Sequence, residues 1–520
     1  MKTRIVSLLM IAASINQIEA QQAVKTPNLA DYRTVDTAAT TKIAKAARVE
    51  SDGQPAYLGV HLLVSKAGYL RVGQIDAESP AAKAGLQLAD ILVKADGQNL
   101  TSPDDLREIL AAKSPGDAVK IDLTRKSEAI ALEATLVAPS RVSDAAPPRP
   151  TGKNSWDARM ATTWRKESYR LAVIGIDYPN ATHNDAISVK DWNDALFSTN
   201  TYNKVSVTGQ PVHGSMRDYY REISYGTFRV EGKFFPWVKV SKKREDYGPT
   251  TNKTALLVEA MDVLLARDGP NALKDFDGVF FLHAGGRVNT PRGTLYWPHQ
   301  ANFTHQGKRW RYFISPEGVK EMANISVFCH EFGHMLGLPD LYARPEVPGS
   351  EGAGVWCAMA NQVGKGKPQH FSAWSKEQLG WLKPAVIDPS VKQKLILGPV
   401  QGSPKECYKV LARPDGSEYF LLENRTARGF DASLPAHGLL IWRVVRGRPI
   451  LEESHGIAGP AGPRTSLALI PFPSSSNDAF TPYTVPSSRP LLGSGSPVHI
   501  TNIRKLPDGR IAFQIGYEYY

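Results

Sequence analysis

The spacing of apolar residues changes several times along the chain, and the changes divide it into blocks. From Ala56 to Val137 the stretches YLGVHLLV, GYLRVGQI, LADILVKADG and AVKIDLTR read as short strands. Between them SPAAKAG opens a short helix with Ser79 as cap and Pro80 at its first position, and SPDDLREILAAK sets Leu106, Ile109 and Leu110 on one helical face. A second block begins near residue 166. YRLAVIGIDYP and FDGVFFLHAGG read as strands, VKDWNDALFS and TALLVEAMDVLLARDG as helices, and Gly269 closes the second helix. GSMRDYYREISYGTFRV reads as helix then strand, FFPWVKV continues with strand character, and FSAWSKEQLGWL reads as a further helix. This alternation predicts an α/β half-domain.

From residue 389 the pattern returns to short strands, LILGPV, CYKVLAR, EYFLLEN, GLLIWRVV, RTSLALIP and IAFQIGYEYY, separated by Gly, Pro and Asn turns. A β-rich, sandwich-like module is the plain expectation for 389–520. Two stretches have no period. Residues 21–55 are polar and Ala-rich and read as a leader or part of a pro-segment, while Pro-, Ser- and Ala-rich 138–165 reads as an extended linker. The expected division is therefore 1–20, 21–55, 56–137, 138–165, 166–388 and 389–520.

Composition narrows the picture. A chain of 520 residues with 42% hydrophobic and 22% charged content belongs to a soluble, multidomain globular class. The net charge of +11 is spread rather than gathered, which argues against nucleic acid as a partner. MKTRIVSLLMIAASINQIEA has the basic start, short apolar run and small residues of a secretory signal peptide ending at Ala20, so a secreted, envelope or periplasmic location is expected, with no membrane span after cleavage. Cys329, Cys357 and Cys407 are too few for a disulfide framework and read as small buried hydrophobes. A structural calcium site and the oligomeric state are not legible.

The chemistry concentrates in ISVFCHEFGHMLGLPD, residues 325–340. On a helix His330 and His334 share a face and can share a metal, with Glu331 beside it as general base. Gly337 can end the helix in a left-handed turn, which would return Asp340 as third ligand and leave a fourth position open for water. In the alternative, thermolysin-type scheme the third ligand is a downstream glutamate such as Glu346 or Glu351. The expected cofactor is one catalytic zinc ion. His283 is weighed as a cleft residue but reads better as a core histidine, and His299 is weaker still.

Two resemblances follow from these residues. Tyr57-Leu58-Gly59-Val60 and SPAAKAGLQLADILVKADGQNL resemble a PDZ domain of the kind attached to bacterial envelope proteases, an α+β fold. That resemblance implies a carboxylate-binding loop at Tyr57, Leu58, Gly59 and Val60 which takes extended or C-terminal peptide. GSMRDYYREISYGTF, FDGVFFLHAGG, HEFGHMLGLPDLY, VWCAMA, FSAWSKEQLGW and EYFLLENRTARGFDASLPAHGLLIWRV resemble the immune inhibitor A family of secreted metallopeptidases. It implies a metzincin-like α/β zinc endopeptidase acting on protein or peptide substrate, with His330, His334 and Asp340 as ligands, Glu331 as base and Met359 as the Met-turn beneath them. The chain departs from that family's pattern at Arg443 and Val445, where a histidine and an acidic residue are usual. The rival expectation is a secreted peptide-binding protein whose protease-like domain is inactive.

Overall fold

A computed structural model describes residues 29–43, 56–137 and 163–516, apart from breaks at 65–68, 76–78, 102–104, 107–108, 111, 115, 249–253, 291–292, 343–351, 365, 457–463 and 493–494. The signal-peptide reading of residues 1–20 and nearly all of the linker lie outside the described residues. Among the described residues, no helix is long and apolar enough to cross a membrane.

Tyr32–Arg33 (β1) is the first strand, and its partner lies near the other end of the chain. The next block builds one antiparallel sheet from Val60–Val64 (β2), Leu70–Ile75 (β3), Ile91–Ala95 (β4), Gln98–Asn99 (β5), Ala118–Arg125 (β6) and Glu128–Thr135 (β7). Its order is β2-β3-β4-β6-β7, with β5 on β4, so β2 is an edge. The alternation predicted for AVKIDLTR is present: Val119, Ile121 and Leu123 are buried while Lys120 and Asp122 face out. Ser79 caps Pro80–Lys83 (α1) by accepting the Ala82 amide. Leu106 and Ile109 enter the same core.

The second block is a five-stranded sheet flanked by helices. In chain order it runs Ser168–Asp177 (β8), Val189–Phe197 (α2), Met216–Ile223 (α3), Arg229–Lys239 (β9), Ala255–Asp268 (α4), Gly278–His283 (β10), His299–His305 (β11), Lys308–Pro316 (β12), Ile325–Met335 (α5) and Ala373–Gln378 (α6). The order is β11-β12-β10-β8-β9; β12, β10, β8 and β9 are parallel, and β11 is an antiparallel edge. Alternate residues feed two cores. Leu171, Val173, Phe280 and Leu282 meet residues of α2, α3 and α5, whereas Ala172, Ile174, Val279 and Phe281 meet Leu256, Leu257, Ala260 and Leu264 of α4. The β11–β12 hairpin was absent from the sequence reading. Its two-residue turn has positive φ at both Gln306 and Gly307, the geometry that matches strand twist but lacks the usual Asn-Gly signal.

The last block has two sheets. Ala385–Ile387 (β13), Tyr408–Leu411 (β15), Glu418–Arg425 (β16), Gly438–Val445 (β17) and Arg448–Glu452 (β18) form one. Gln393–Leu397 (β14), Ile500–Lys505 (β19) and Ile511–Ile515 (β20) form the other, in the order β1-β14-β20-β19. Leu395, Leu397, Val410, Phe420, Leu422, Ile441, Ile500 and Phe513 share the core between them. The outer face of β16 and β17 is not exposed either: Leu421, Leu440, Trp442 and Val444 join the helix-side core of the α/β block. Burial on both faces accounts for the run GLLIWRVV, apolar except for Arg443.

Three expectations change here. RTSLALIP, read as a strand, is a 3-10 turn at Arg464–Leu469; Pro471 and Pro473 lack the amide donors a ladder needs. The β-rich block starts a little before 389, since β13 already belongs to it. Part of the 21–55 leader belongs to the last block as well: β1 pairs in parallel with β14, Tyr32 opposite Lys394, and the Thr41 amide bonds Val386 O at 3.0 Å. Leu29 and Tyr32 cover Ile396, Leu506 and Ala512, so a strand with no sequence period closes an otherwise open sheet edge.

Candidate metal centre

Helix α5 starts at Asn324, whose side chain accepts the Ser326 amide, and it buries Phe328, Cys329 and Phe332 against the sheet. Gly337 ends it with φ of 96°, a value that strains any residue with a Cβ. The freed carbonyls are satisfied: Leu338 N bonds Gly333 O at 3.1 Å, Arg311 of β12 donates to Met335 O at 2.7 Å, and Trp164 N bonds Leu336 O at 2.9 Å. The reversed chain brings Asp340 back over the helix.

Its Oδ1 lies 3.2 Å from Nε2 of His330 and 3.2 Å from Nε2 of His334. The three ligating atoms fall within 4.8 Å of one another. Each imidazole is tied at its other nitrogen to a backbone carbonyl, His330 Nδ1 to Ala358 O at 2.8 Å and His334 Nδ1 to Leu338 O at 2.7 Å. A carbonyl only accepts, so Nδ1 carries a proton in each ring, and Nε2 is the nitrogen left to face the common point. Burial disfavours charge on either partner here, but hydrogen bonding between Asp340 and the histidines outweighs it. His334 is lifted to about 9 and Asp340 is held well below the usual carboxylate range. The two imidazoles and one carboxylate suit a borderline cation that accepts three protein ligands and keeps a position open.

Glu331, the neighbour of His330 on the same helix, is 6% exposed and contributes to the raised His334 value. Met359 lies under the histidine turn. A Cβ added at Gly333 would come within 2.3 Å of its Sδ, and its carbonyl accepts the amide of Leu341 at 2.8 Å, next to Asp340. Glu346 and Glu351, the alternative third ligands, lie outside the described residues.

The remaining sequence candidates stand apart from this cluster. His283 is fully buried at the end of β10 and is pushed down to about 3 by burial and by Arg244, whose Nη2 is 3.1 Å from its Nδ1. His299 opens β11 with Nδ1 2.6 Å from Trp297 O. All three cysteines are buried free thiols with pKa raised by burial, which removes them as nucleophiles. Sequence reasoning missed Tyr342, whose ring centroid is 5.6 Å from that of His330, although it follows Asp340 by two residues. It also missed the Ala358 carbonyl, which no side-chain pattern reveals.

The Tyr57–Val60 loop runs into the edge strand β2, whose first residue is Val60. Tyr57 and Val137 exchange backbone hydrogen bonds, Leu58 O accepts the Ala81 amide at 2.9 Å, and Gly59 has φ of 78° with Ser79 Cβ 2.3 Å from where its own Cβ would be. Only glycine fits there.

Comparison with known proteins gives two family matches. Residues 56–136 match the PDZ domain family, and 175–295 with 293–386 match the catalytic domain of immune inhibitor A peptidase M6. The chain is 26% identical over 284 residues to the pre-pro-metalloprotease PrtV of Vibrio cholerae serotype O1, covering 41% of this chain and 30% of that protein. It is 25% identical over 271 residues to immune inhibitor A of Bacillus thuringiensis subsp. alesti, covering 40% and 39%. A stretch of 66 residues is 39% identical to the serine protease Do-like HtrB of Bacillus subtilis, 12% of this chain and 14% of that one. The chain thus spans well under half the length of the relatives it matches.

Proposed function

Starting from a chain that carries a PDZ domain and an immune inhibitor A-type peptidase M6 catalytic domain, we propose that it is an exported zinc endopeptidase of metzincin-like build. The observation that carries the reading is the approach of His330 Nε2, His334 Nε2 and Asp340 Oδ1 to one point beside Glu331. Gly337 past the helix, Met359 beneath it and the antiparallel edge strand β11 beside the parallel sheet support the metzincin-like form.

When held by His330, His334 and Asp340, zinc would supply Lewis acidity toward the scissile carbonyl and make a nearby water more acidic. Glu331 accepts that water's proton and returns it to the departing amine. His330 and His334 are kept in one tautomer by the Ala358 and Leu338 carbonyls, so no reorientation is needed on ligation. Substrate is an extended peptide, which an edge strand such as β11 can hold by backbone pairing.

Glu331→Gln should keep one zinc per chain and lower cleavage of unfolded casein about 10²–10⁴-fold. Wild-type rates from this variant, or metal-free wild-type protein that still cuts, would overturn the assignment. The PDZ block is proposed to take peptide C-termini along β2 at the Tyr57–Val60 loop. A peptide with a free C-terminal carboxylate should therefore bind more tightly than its amide, and equal affinity would remove the loop from the proposal.

A further inference from the structure

The stretch from Trp356 to Ala373 carries both Met359 and the carbonyl that orients His330, and it is held from behind by side chains of the last block. Arg425, at the end of β16, is fully buried. Its Nη1 donates to Trp356 O at 3.0 Å and to Glu423 at 3.1 Å, while Nε and Nη2 fork onto Asp431 at 3.0 and 2.5 Å. Asp431 accepts the His370 amide at 2.9 Å, and Glu423 accepts the Ala373 amide at 3.0 Å. Between these anchors, Ala358 N bonds His370 O at 3.3 Å and Ala358 O accepts from His330 Nδ1 at 2.8 Å.

One guanidinium and its two carboxylates therefore grip Trp356, His370 and Ala373, and through the Ala358 N–His370 O bond they hold the residue whose carbonyl fixes the imidazole. A buried ion group of this kind is a poor way to gain stability, because apolar residues of the same volume do as well or better. What a planar fork on a carboxylate does provide is geometry. We infer that Arg425, working with Asp431, is a positioning residue for the metal centre, and that the last block completes that centre from outside the α/β block. The inference rests on the zinc reading above.

The test uses the full chain and three variants. Arg425→Lys and Asp431→Asn loosen the grip at its two ends. Arg443→Lys is the control: Arg443 is 2% exposed in the same sheet, bonds Glu418 at 2.7 Å and Glu452 at 2.5 Å, and makes no hydrogen bond or ion pair to 356–373 among the described residues. Zinc affinity is measured against a competing chelator, ligand geometry by the visible spectrum of Co(II)-loaded protein, and Tm on metal-free protein. Arg425→Lys and Asp431→Asn should weaken zinc binding about 10–100-fold and shift the Co(II) bands, whereas Arg443→Lys should lower Tm with affinity and bands unchanged. Wild-type affinity and bands in the first two variants, whatever their Tm, would overturn the inference, as would equal changes in Arg443→Lys. If Arg425→Lys does not fold, Asp431→Asn decides alone. Wild-type protein that takes up neither Zn(II) nor Co(II) would sink the zinc reading itself, a separate failure.

Discussion

Two clusters of histidine and carboxylate share the 356–373 stretch, and they are built on opposite principles. In the first, His330, His334 and Asp340 aim ligating atoms at one point, with the spare nitrogens already committed to carbonyls. In the second, Arg425 and Lys376 sit among Glu222, Glu423 and Asp431, and His370 donates to Glu222 at 2.8 Å while facing Lys376 Nζ at 3.1 Å. Cations for the second cluster come from the chain. The first presents a donor set that a cation from outside would complete. Burial and perturbed titration are common to both, so neither property separates a site from its framework. Convergence of like donors does.

The largest test of that contrast is the same substitution made on each side. His334→Ala should reduce bound zinc to an undetectable level and abolish hydrolysis, and should cost metal-free stability about 1–3 kcal/mol as well, since the side chain is only 16% exposed and gives up its bond to Leu338 O. His370→Ala should keep one zinc per chain, because its contacts to the loop are made by backbone atoms, yet cost about 1–3 kcal/mol by leaving Lys376 and Glu222 short of a partner. Metal analysis and urea unfolding of both variants read the two effects. Zinc lost from His370→Ala and retained by His334→Ala would invert the comparison.

The two clusters were not equally legible. His330, Glu331, His334, Gly337 and Asp340 fall within one helix and its turn, so local geometry alone dictates where they meet, and spacing is enough to read it. Helices α2 to α5 and strands β8 to β10 were legible for the same reason, because periodicity reports local structure. Glu222, His370, Lys376, Glu423, Arg425 and Asp431 are spread over more than two hundred residues and meet only through packing of the last block on the α/β block. A trace was present in the charged residues of EYFLLEN and in Arg425 just after it, a stretch read only as a short strand, but their partners could not be inferred. The two-residue strand β1 left no trace at all, because pairing with β14 is a property of the distant edge.

The last prediction concerns Lys376, and it asks whether the second cluster is neutral by design or merely crowded. Its Nζ is fully buried in α6, 3.3 Å from the Tyr225 hydroxyl and 3.1 Å from His370 Nδ1. Burial and the nearby Arg425 push its pKa from 10.5 down to about 8, against the pull of Glu423, Asp431 and Glu222. In the unfolded chain the lysine keeps its proton to about 10.5, whereas the folded chain releases it near 8, so between those values the unfolded state binds more protons. The contribution of this residue to stability must then rise with pH across that window and be flat on either side. Lys376→Met removes the titration, and the wild-type stability minus that of the variant should increase between pH 7 and about pH 10, read from paired urea midpoints. A difference that stays level would mean that the three carboxylates hold the ammonium charged throughout. The second cluster would then be an ordinary ion network, and the buried lysine no more perturbed than one at the surface.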